Sequence, residues 1–268
     1  MQFNSVLIFG FLSVATLLQG CGTASSDAPT MNQQAAPPTL KNLNSPIPNN
    51  SDVAQYKILV MGNSHVSGIT GILDTLFASS NSPTQVENLT LSQGGFLTDR
   101  LEDSQSVDTL QETDWSHVIL QAQKVSQSGQ VVYPTEGTQT WIQLAKERGA
   151  TPILFPEHPT RGNQQEGQRI HDIHLGIAAL QSTCIAPVGL VWDRVISLRP
   201  ELILHQEDGN HASELGRVLT ALVFYEVIAN SAADLLPFIE SINIDRQTQD
   251  FFGQIVSQVL AENPPCEY

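Results

Sequence analysis

The feature that most constrains this chain is an apolar run that ends in a polar turn. Residues 57–65 read Lys-Ile-Leu-Val-Met-Gly-Asn-Ser-His. A short continuous apolar run bounded by a turn is typical of a strand buried on both faces, as in a parallel sheet. Gly62 permits a sharp exit from the strand, and Asn63 tolerates unusual backbone angles. Ser64 is therefore predicted at the carboxyl end of a first strand, where open α/β sheets place their ligands.

The remainder of the chain alternates between strand-like and helix-like segments. Further strands are predicted at 84–91, 118–123 and 151–155, with a short apolar run from 184. Apolar residues recur at helical spacing in 67–79, 98–110, 135–148, 164–181, 212–230 and 242–262. Such alternation predicts an α/β fold, a three-layer α/β/α sandwich whose four or five strands are mostly parallel.

A second polar segment directly precedes the long helix predicted at 212–230. Residues 208–211 read Asp-Gly-Asn-His. A serine hydroxyl is a weak nucleophile unless a base lies beside it, and an aspartate can fix the tautomer of such a base. We interpret His211 as the base for Ser64, with Asp208 accepting the proton on its Nδ1.

Two other histidines compete with His211 for the role of base. His65 follows Ser64 directly, so its side chain is expected to point away from the same pocket. His205 has no aspartate at the matching offset. His211 therefore remains the preferred base.

Together, the segments 62–65 and 208–211 resemble two blocks of the SGNH (GDSL-type) hydrolase family, and the resemblance extends roughly from Tyr56 to Asn230. It implies the flavodoxin-like SGNH hydrolase fold and an esterase that works through a Ser64–His211–Asp208 triad. It also implies that no metal and no cofactor is required.

The resemblance also implies an oxyanion hole built partly from backbone N–H groups. The segment 92–96 (Ser-Gln-Gly-Gly-Phe) resembles the family's second block. The expected donors are the N–H of Ser64 and that of Gly94 or Gly95. The alternative for the two glycines is a plain turn between strand and helix.

A side-chain donor is less clear, because the family places a Gly-x-Asn where this chain has Gln121 and Gln123. Glutamine carries the same amide on a stem one carbon longer. Gln123 is the preferred donor, with Gln121 in support. Structural polar residues at a strand end are the alternative.

The N-terminal residues are predicted to be a targeting segment. The apolar core at 6–18 is too short for a comfortable membrane span and leads into Leu-Gln-Gly-Cys at 18–21, which resembles a bacterial lipobox. We expect residues 1–20 to be a lipoprotein signal peptide and Cys21 to carry diacylglycerol and palmitate. No Lys or Arg precedes the apolar core, and an ordinary cleaved signal peptide is the alternative.

Two further regions follow Cys21. Residues 21–53 are rich in Ala, Ser, Thr, Pro, Asn and Gln, a composition typical of a flexible tether. Residues 54–268 are expected to form the SGNH hydrolase-like domain. This organisation predicts a protein held by a lipid on a bacterial membrane in the cell envelope, facing the periplasm or the exterior.

The net charge excludes one class of partner, and the two cysteines after Cys21 allow one disulfide. The formal net charge is −15, without a basic run, so no nucleic acid is expected as a partner. Cys184 and Cys266 either pair in an oxidising compartment or remain independent thiols.

Four loop or helix positions have weaker interpretations. His158 and Arg161 are candidate substrate contacts, because their loop leaves the same end of the sheet as Ser64. His171 and His174 have zinc-ligand spacing, but no third ligand accompanies them, so surface positions beside an acidic residue are expected instead.

The predicted substrate is an acyl ester, in particular a short-chain or acetyl ester on an envelope or extracellular glycan. Two alternatives remain from the sequence. One is a non-catalytic lipoprotein that binds a glycan or a protein partner on the same fold, and the other is an O-acyltransferase.

Overall fold

The computed structural model describes residues 45–93 and 95–268. The predicted signal peptide, the lipidation site at Cys21, most of the predicted tether and Gly94 lie outside the described residues. No helix in the described part of the chain is both long enough and apolar enough to cross a membrane.

Five strands form one sheet in the described residues. They are β1 (Gln55–Met61), β2 (Gln85–Leu91), β3 (His117–Leu120), β4 (Thr151–Leu154) and β5 (Cys184–Ile185). Their order is β2-β1-β3-β4-β5, and every neighbouring pair is parallel. This is the flavodoxin-like order of a doubly wound sheet. The predicted fold class is confirmed.

Helices follow the strands and cover both faces of the sheet. They are α1 (Ile69–Ser79), α2 (Leu97–Arg100), α3 (Ser104–Glu112), α4 (Glu136–Glu147), α5 (Glu166–Leu180), α6 (Val188–Leu198), α7 (Glu214–Ala229) and α8 (Arg246–Glu262). Short 3₁₀ turns occur at Ser64–Val66, Ala233–Leu235 and Glu240–Ile242. The single helix predicted at 98–110 is instead two helices, because the side chain of Asp103 caps the start of α3 by accepting from the N–H of Ser106.

Strand β1 lies between two hydrophobic cores, which explains its uninterrupted apolar sequence. Ile58 and Val60 pack with the core beneath α1, α6, α7 and α8. Leu59 and Met61 pack with the opposite core, which includes residues of α3 and α4. Alternate side chains of a strand point to opposite faces of a sheet, so a strand covered on both faces is apolar at every position.

The tether predicted to extend to residue 53 ends earlier than expected. Ile47 is buried in the core beneath α1. The amide of Asn50 donates to the carbonyls of Ser116 and Gly149 at 3.0 and 2.9 Å. These bonds tie the described part of the tether, 45–53, to the amino ends of β3 and β4. The packed domain therefore begins before the predicted boundary at residue 54.

The two cysteines of the domain are joined in a disulfide. Cys184 in β5 bonds to Cys266 near the end of the chain. Next to it, the N–H of Ile185 donates to the carbonyl of Pro265 at 2.7 Å. Of the two states that the sequence allows, the structure contains the bonded one. The bond fastens the segment after α8 to the edge of the sheet.

Removing this disulfide is expected to destabilise the domain without unfolding it. The bond closes a loop across a sequence separation of 82. Cross-links of that length contribute about 2–4 kcal/mol to the free energy of unfolding. The double variant Cys184→Ser/Cys266→Ser should show that loss in urea denaturation. Adding a reductant should lower the midpoint of the wild type only, and equal midpoints for the two proteins without reductant would contradict the prediction.

Candidate active site

Ser64 begins the 3₁₀ turn that follows β1. The side-chain oxygen of Asn63 caps this turn by accepting from the N–H of His65 at 3.1 Å. The N–H of Asn63 itself donates to Oε1 of Gln121, at the end of β3, at 2.7 Å. A Cβ at position 62 would lie only 2.3 Å from the same oxygen, so the close approach requires Gly62. As predicted, the turn places Ser64 at the carboxyl edge of the sheet.

Arg100, which the sequence reasoning missed, holds this turn from below. Its Nη2 donates to the carbonyls of Gly62 and Leu91, at 2.5 and 2.7 Å, and thereby joins the ends of β1 and β2. Its Nη1 donates to the hydroxyl of Ser106 at 3.0 Å. The residue is 1% exposed, and this burial lowers the pKa of the guanidinium. A lone arginine in a predicted helix gave no sign of this role.

The loop before α7 brings the base to the nucleophile. Nε2 of His211 lies 2.7 Å from Oγ of Ser64, and Nδ1 lies 2.5 Å from Oδ2 of Asp208. The other carboxylate oxygen of Asp208 accepts from the N–H groups of Asn210 and His211, at 2.9 and 3.0 Å. The bonds from His211 and the backbone hold the pKa of Asp208 well below its usual range. The structure thus brings the three predicted triad residues together in the order that nucleophilic catalysis requires.

The two histidines that compete with His211 in the sequence, His65 and His205, have different surroundings in the structure. The ring of His65 stacks against that of His211, with centroids 5.1 Å apart and planes at 24°. The expectation that His65 points away from the pocket is therefore wrong. The short 3₁₀ turn directs its side chain towards residues 208–211, which we call the base loop. His205 is buried, and its Nε2 pairs with the carbonyl of Pro159 at 2.8 Å.

The predicted backbone donors lie on loops at the same edge. Gly95 has a φ of +75°, a left-handed conformation that favours glycine, and a Cβ there would lie 3.0 Å from Oδ2 of Asp99. The adjoining N–H of Leu97 donates to the carbonyl of Ala122 at 3.0 Å, which joins this loop to the end of β3. The loop with Gly95 therefore lies at the same edge of the sheet as the turn Ser64–Val66, which we call the nucleophile turn.

The amide of Gln123 is engaged in this structure. Its Nε2 donates to the carbonyls of Lys124 and Pro134, at 2.9 and 3.1 Å, and its Oε1 accepts from the hydroxyl of Thr138 at 2.6 Å. An amide nitrogen has two N–H groups, and both have acceptors here. Gln123 would have to leave these partners to donate to an oxyanion, so that role stays a prediction.

Gln121 supports the site from beneath. It is fully buried; its Oε1 accepts from Asn63 as described above, and its Nε2 donates to Oε1 of Glu157. Burial raises the pKa of Glu157 to about 7, with a further rise from Glu166 and an opposing effect of the Gln121 bond. Oε2 of Glu157 lies 4.0 Å from Nε2 of His65. Glu157 lies in the loop after β4 and could not be recognised as part of the site from the sequence.

The weaker candidates have structural partners. His158 is 4% exposed and stacks on Trp192, with centroids 3.9 Å apart, so it does not present itself as a substrate contact. Arg161 is exposed, and its guanidinium donates to the carbonyl of His205 at 3.3 Å and also to that of Gln206.

The expectation that the histidine pair on α5 lies at the surface beside an acidic residue is wrong. His171 and His174 are buried, because they lie on the inner face of α5, and Nδ1 of His174 pairs with the carbonyl of Ile170 at 2.8 Å. Burial lowers the pKa of both. Among the described residues, no group of three potential ligands that could hold a metal ion is found.

Comparison with known proteins finds solved structures with a similar fold. No known family model matches the sequence, and no curated protein matches it. A solved structure described as a candidate SGNH hydrolase from Slackia heliotrinireducens aligns with a TM-score of 0.51 and 21% identity, covering 64% of this chain and 98% of the other. A DUF4886 family protein from Bacteroides uniformis aligns with a TM-score of 0.58 and 13% identity, covering 80% and 97%. The chain has the SGNH hydrolase fold.

Adding a methyl group at Gly62 should disrupt the nucleophile turn. In Gly62→Ala the new Cβ would collide with Gln121 and also lie 2.5 Å from Val66. Overpacking of this kind costs about 1–3 kcal/mol in the free energy of unfolding. Gly71→Ala is the matched control, because position 71 is exposed on helix α1 and a Cβ there meets nothing within 4 Å. Thermal denaturation should show a loss for the first variant and none for the second; equal stabilities would contradict the packing argument.

The carboxyl of Glu157, whose side chain is only 21% exposed, should make the free energy of unfolding depend on pH. Its pKa is raised from 4.5 to about 7 in the folded chain, so its stabilising contribution is complete below pH 4.5 and is lost as pH rises through 7. This loss is at most about 3 kcal/mol. Urea denaturation at about pH 5 and pH 8 should show a smaller fall for Glu157→Gln than for the wild type. An equal fall in both proteins would contradict the assignment.

Proposed function

We propose that this protein is a serine hydrolase that cleaves short acyl esters, with acetyl esters as the main class. The observation that carries the proposal is the continuous hydrogen-bonded chain from Ser64 through His211 to Asp208. A protein that only binds has no physical need for a hydroxyl, an imidazole and a carboxylate in this order. The SGNH hydrolase fold supports the same conclusion.

In the proposed reaction, Oγ of Ser64 attacks the ester carbonyl carbon while Nε2 of His211 accepts the hydroxyl proton. Asp208 holds the imidazole in the required tautomer and stabilises the imidazolium that forms. Collapse of the tetrahedral intermediate expels the alcohol, which takes the proton from His211. A water molecule then attacks the acyl-enzyme with His211 again as base, releasing the carboxylic acid and restoring Ser64.

The negative charge on the tetrahedral intermediate requires donors, and the proposed ones are backbone N–H groups. The N–H of Ser64 begins its 3₁₀ turn, where a donor has no partner within the turn. The N–H of Gly95, or that of Gly94, completes the pair. Loss of one such donor typically costs about 3 kcal/mol of transition-state stabilisation.

The open position of the site supports a large substrate that presents its acyl group at the surface. Ser64 is exposed, and the side chains of His211 and Asp208 are 32% and 46% exposed. Nearby, the ammonium of Lys124 lies 4.6 Å from the ring centre of Tyr133 and 5.3 Å from that of Phe96. Phe96 and Lys124 are exposed and Tyr133 is half-buried, all on loops that follow the carboxyl ends of strands. Aromatic rings and a cation suit a sugar chain, so we propose an acetylated envelope or extracellular glycan as the substrate.

The proposed location is the cell envelope, with the protein anchored through a lipid on Cys21. The disulfide between Cys184 and Cys266 supports export, because such bonds persist in oxidising compartments. The resemblance of residues 18–21 to a lipobox supports the anchor.

One observation favours a second candidate function. Because both amide N–H groups of Gln123 are engaged, the side-chain donor that the family resemblance implies is not free. This favours a non-catalytic protein that binds a glycan or a protein partner through the same edge of the sheet. An O-acyltransferase is a variant of the main proposal in which a sugar hydroxyl replaces water.

Labelling with a fluorophosphonate, followed by peptide mapping, separates these functions. We expect covalent modification at Ser64 in the wild type and none in Ser64→Ala or His211→Ala. Hydrolysis of p-nitrophenyl acetate should fall at least about a thousandfold in Ser64→Ala. Ser67→Ala, which removes an exposed hydroxyl three residues along, is the matched control and should retain activity. A folded wild type that is not labelled at Ser64 would support the binding function instead.

A further inference from the structure

A second histidine connects the nucleophile turn to the base loop. His65 is backbone-bonded to Asn63 on the turn, while its ring stacks on His211 and its Nε2 lies 3.5 Å from Nδ2 of Asn210. Its side chain is only 9% exposed. The base therefore has an immobile ring along one face, in addition to the bond from Asp208.

Two residues of the loop after β4 also lie close to the ring of His65. The ring of His158 meets it edge-on at 5.2 Å, and His158 is itself fixed by stacking on Trp192. The carboxylate of Glu157 lies at ion-pair distance from Nε2 of His65. A row of packed groups thus runs from the sheet through His65 to the catalytic base.

The charges along this row favour a cation at one position. Burial, followed by the neighbouring His211, lowers the pKa of His65 to about 4, although Asp208 acts in the opposite direction. Burial, followed by His65, lowers that of His158 to about 3. Both rings are therefore neutral near pH 7 and do not repel an imidazolium at His211. Glu157 is the group in this row that becomes negative near neutral pH.

We propose that His65 and Glu157 are positioning residues for the general base. His65 holds the ring of His211 by stacking. The carboxylate of Glu157, 4.0 Å from Nε2 of His65, favours the imidazolium that forms when His211 takes the proton of Ser64. This inference rests on the proposed serine hydrolase function. It assigns to the row a role that the triad alone does not include.

Glu157 is expected to act on His211 through its charge. A negative carboxylate 4.0 Å from Nε2 of His65 attracts a positive charge on the neighbouring ring of His211, and a neutral amide in its place removes that attraction. The same removal weakens the stabilisation of the imidazolium in the transition state. In Glu157→Gln we therefore expect the acid limb of the profile of labelling rate against pH to move to lower pH by less than about one unit. The plateau rate should be about three- to tenfold lower. Both magnitudes are roughly the effect of one charge that acts across one intervening ring.

The test is the rate of fluorophosphonate labelling at Ser64, measured from about pH 5 to pH 9 in the wild type, Glu157→Gln and Asp193→Asn. Asp193 is the matched control, because burial and Glu166 also raise its pKa to about 7, but it packs against Gly167 rather than His65. Circular dichroism at each pH checks that the folded fraction is constant across the range, because a constant folded fraction scales a labelling profile without moving its midpoint. A shifted midpoint in Glu157→Gln alone supports the proposal, and superimposable midpoints overturn it.

The stacking half is tested with two substitutions at His65. His65→Phe keeps a ring against His211, whereas His65→Ala removes it. We expect kcat for p-nitrophenyl acetate to fall about tenfold or more in His65→Ala with KM little changed, and to be largely restored in His65→Phe. Equal loss in both variants, or a loss confined to KM, would overturn the positioning role.

The outcomes separate this inference from the function on which it rests. A folded wild type that is not labelled at any pH removes the serine hydrolase function and this inference with it. A wild type that is labelled, with Glu157 and His65 variants that behave like it, removes only the inference.

Discussion

The site depends on the close approach of two strand ends in the middle of the sheet. In the parallel register, Met61 of β1 pairs with Leu120 of β3, which puts the next residue, Gln121, beside Gly62. There the amide of Gln121 accepts from the nucleophile turn and donates to Glu157 in the loop after β4. One buried side chain therefore connects the ends of three adjacent strands. A longer side chain at position 62 leaves no space for it.

The fold could be predicted from the sequence because its main signals are local. The run 58–61 is apolar at every position because β1 is covered on both faces, and the helical periods are similarly direct. The triad could be predicted because Ser64 and the segment 208–211 sit at recognisable turns. Each of these signals lies within a few consecutive residues, where propensity and spacing act.

What could not be predicted depends on contacts between distant segments. Ala122 has a φ of 79°, which ends β3 at Leu120 although the sequence suggests a strand to 123, and no glycine marks that position. Arg100 and His65 acquire their roles from carbonyls and rings that only the assembled sheet brings close. For the same reason, the tether composition of 45–53 gave no sign that Asn50 and Ile47 find partners on the domain.

The polar groups beneath the site hold it in place, whereas the triad itself is open to solvent. A buried arginine or carboxyl lowers stability unless it is hydrogen-bonded. Here the bonds of Arg100 hold the turn that carries Ser64, and the bond between Gln121 and Glu157 lies beneath it. Rigidity is thus concentrated beneath Ser64 and His211, while their outer faces remain exposed to solvent. Phe96, Lys124 and Tyr133 lie on the flanking loops and are not among the residues whose bonds hold Ser64 and His211. Changes at these three positions can therefore alter which substrate is held without altering how the serine is activated.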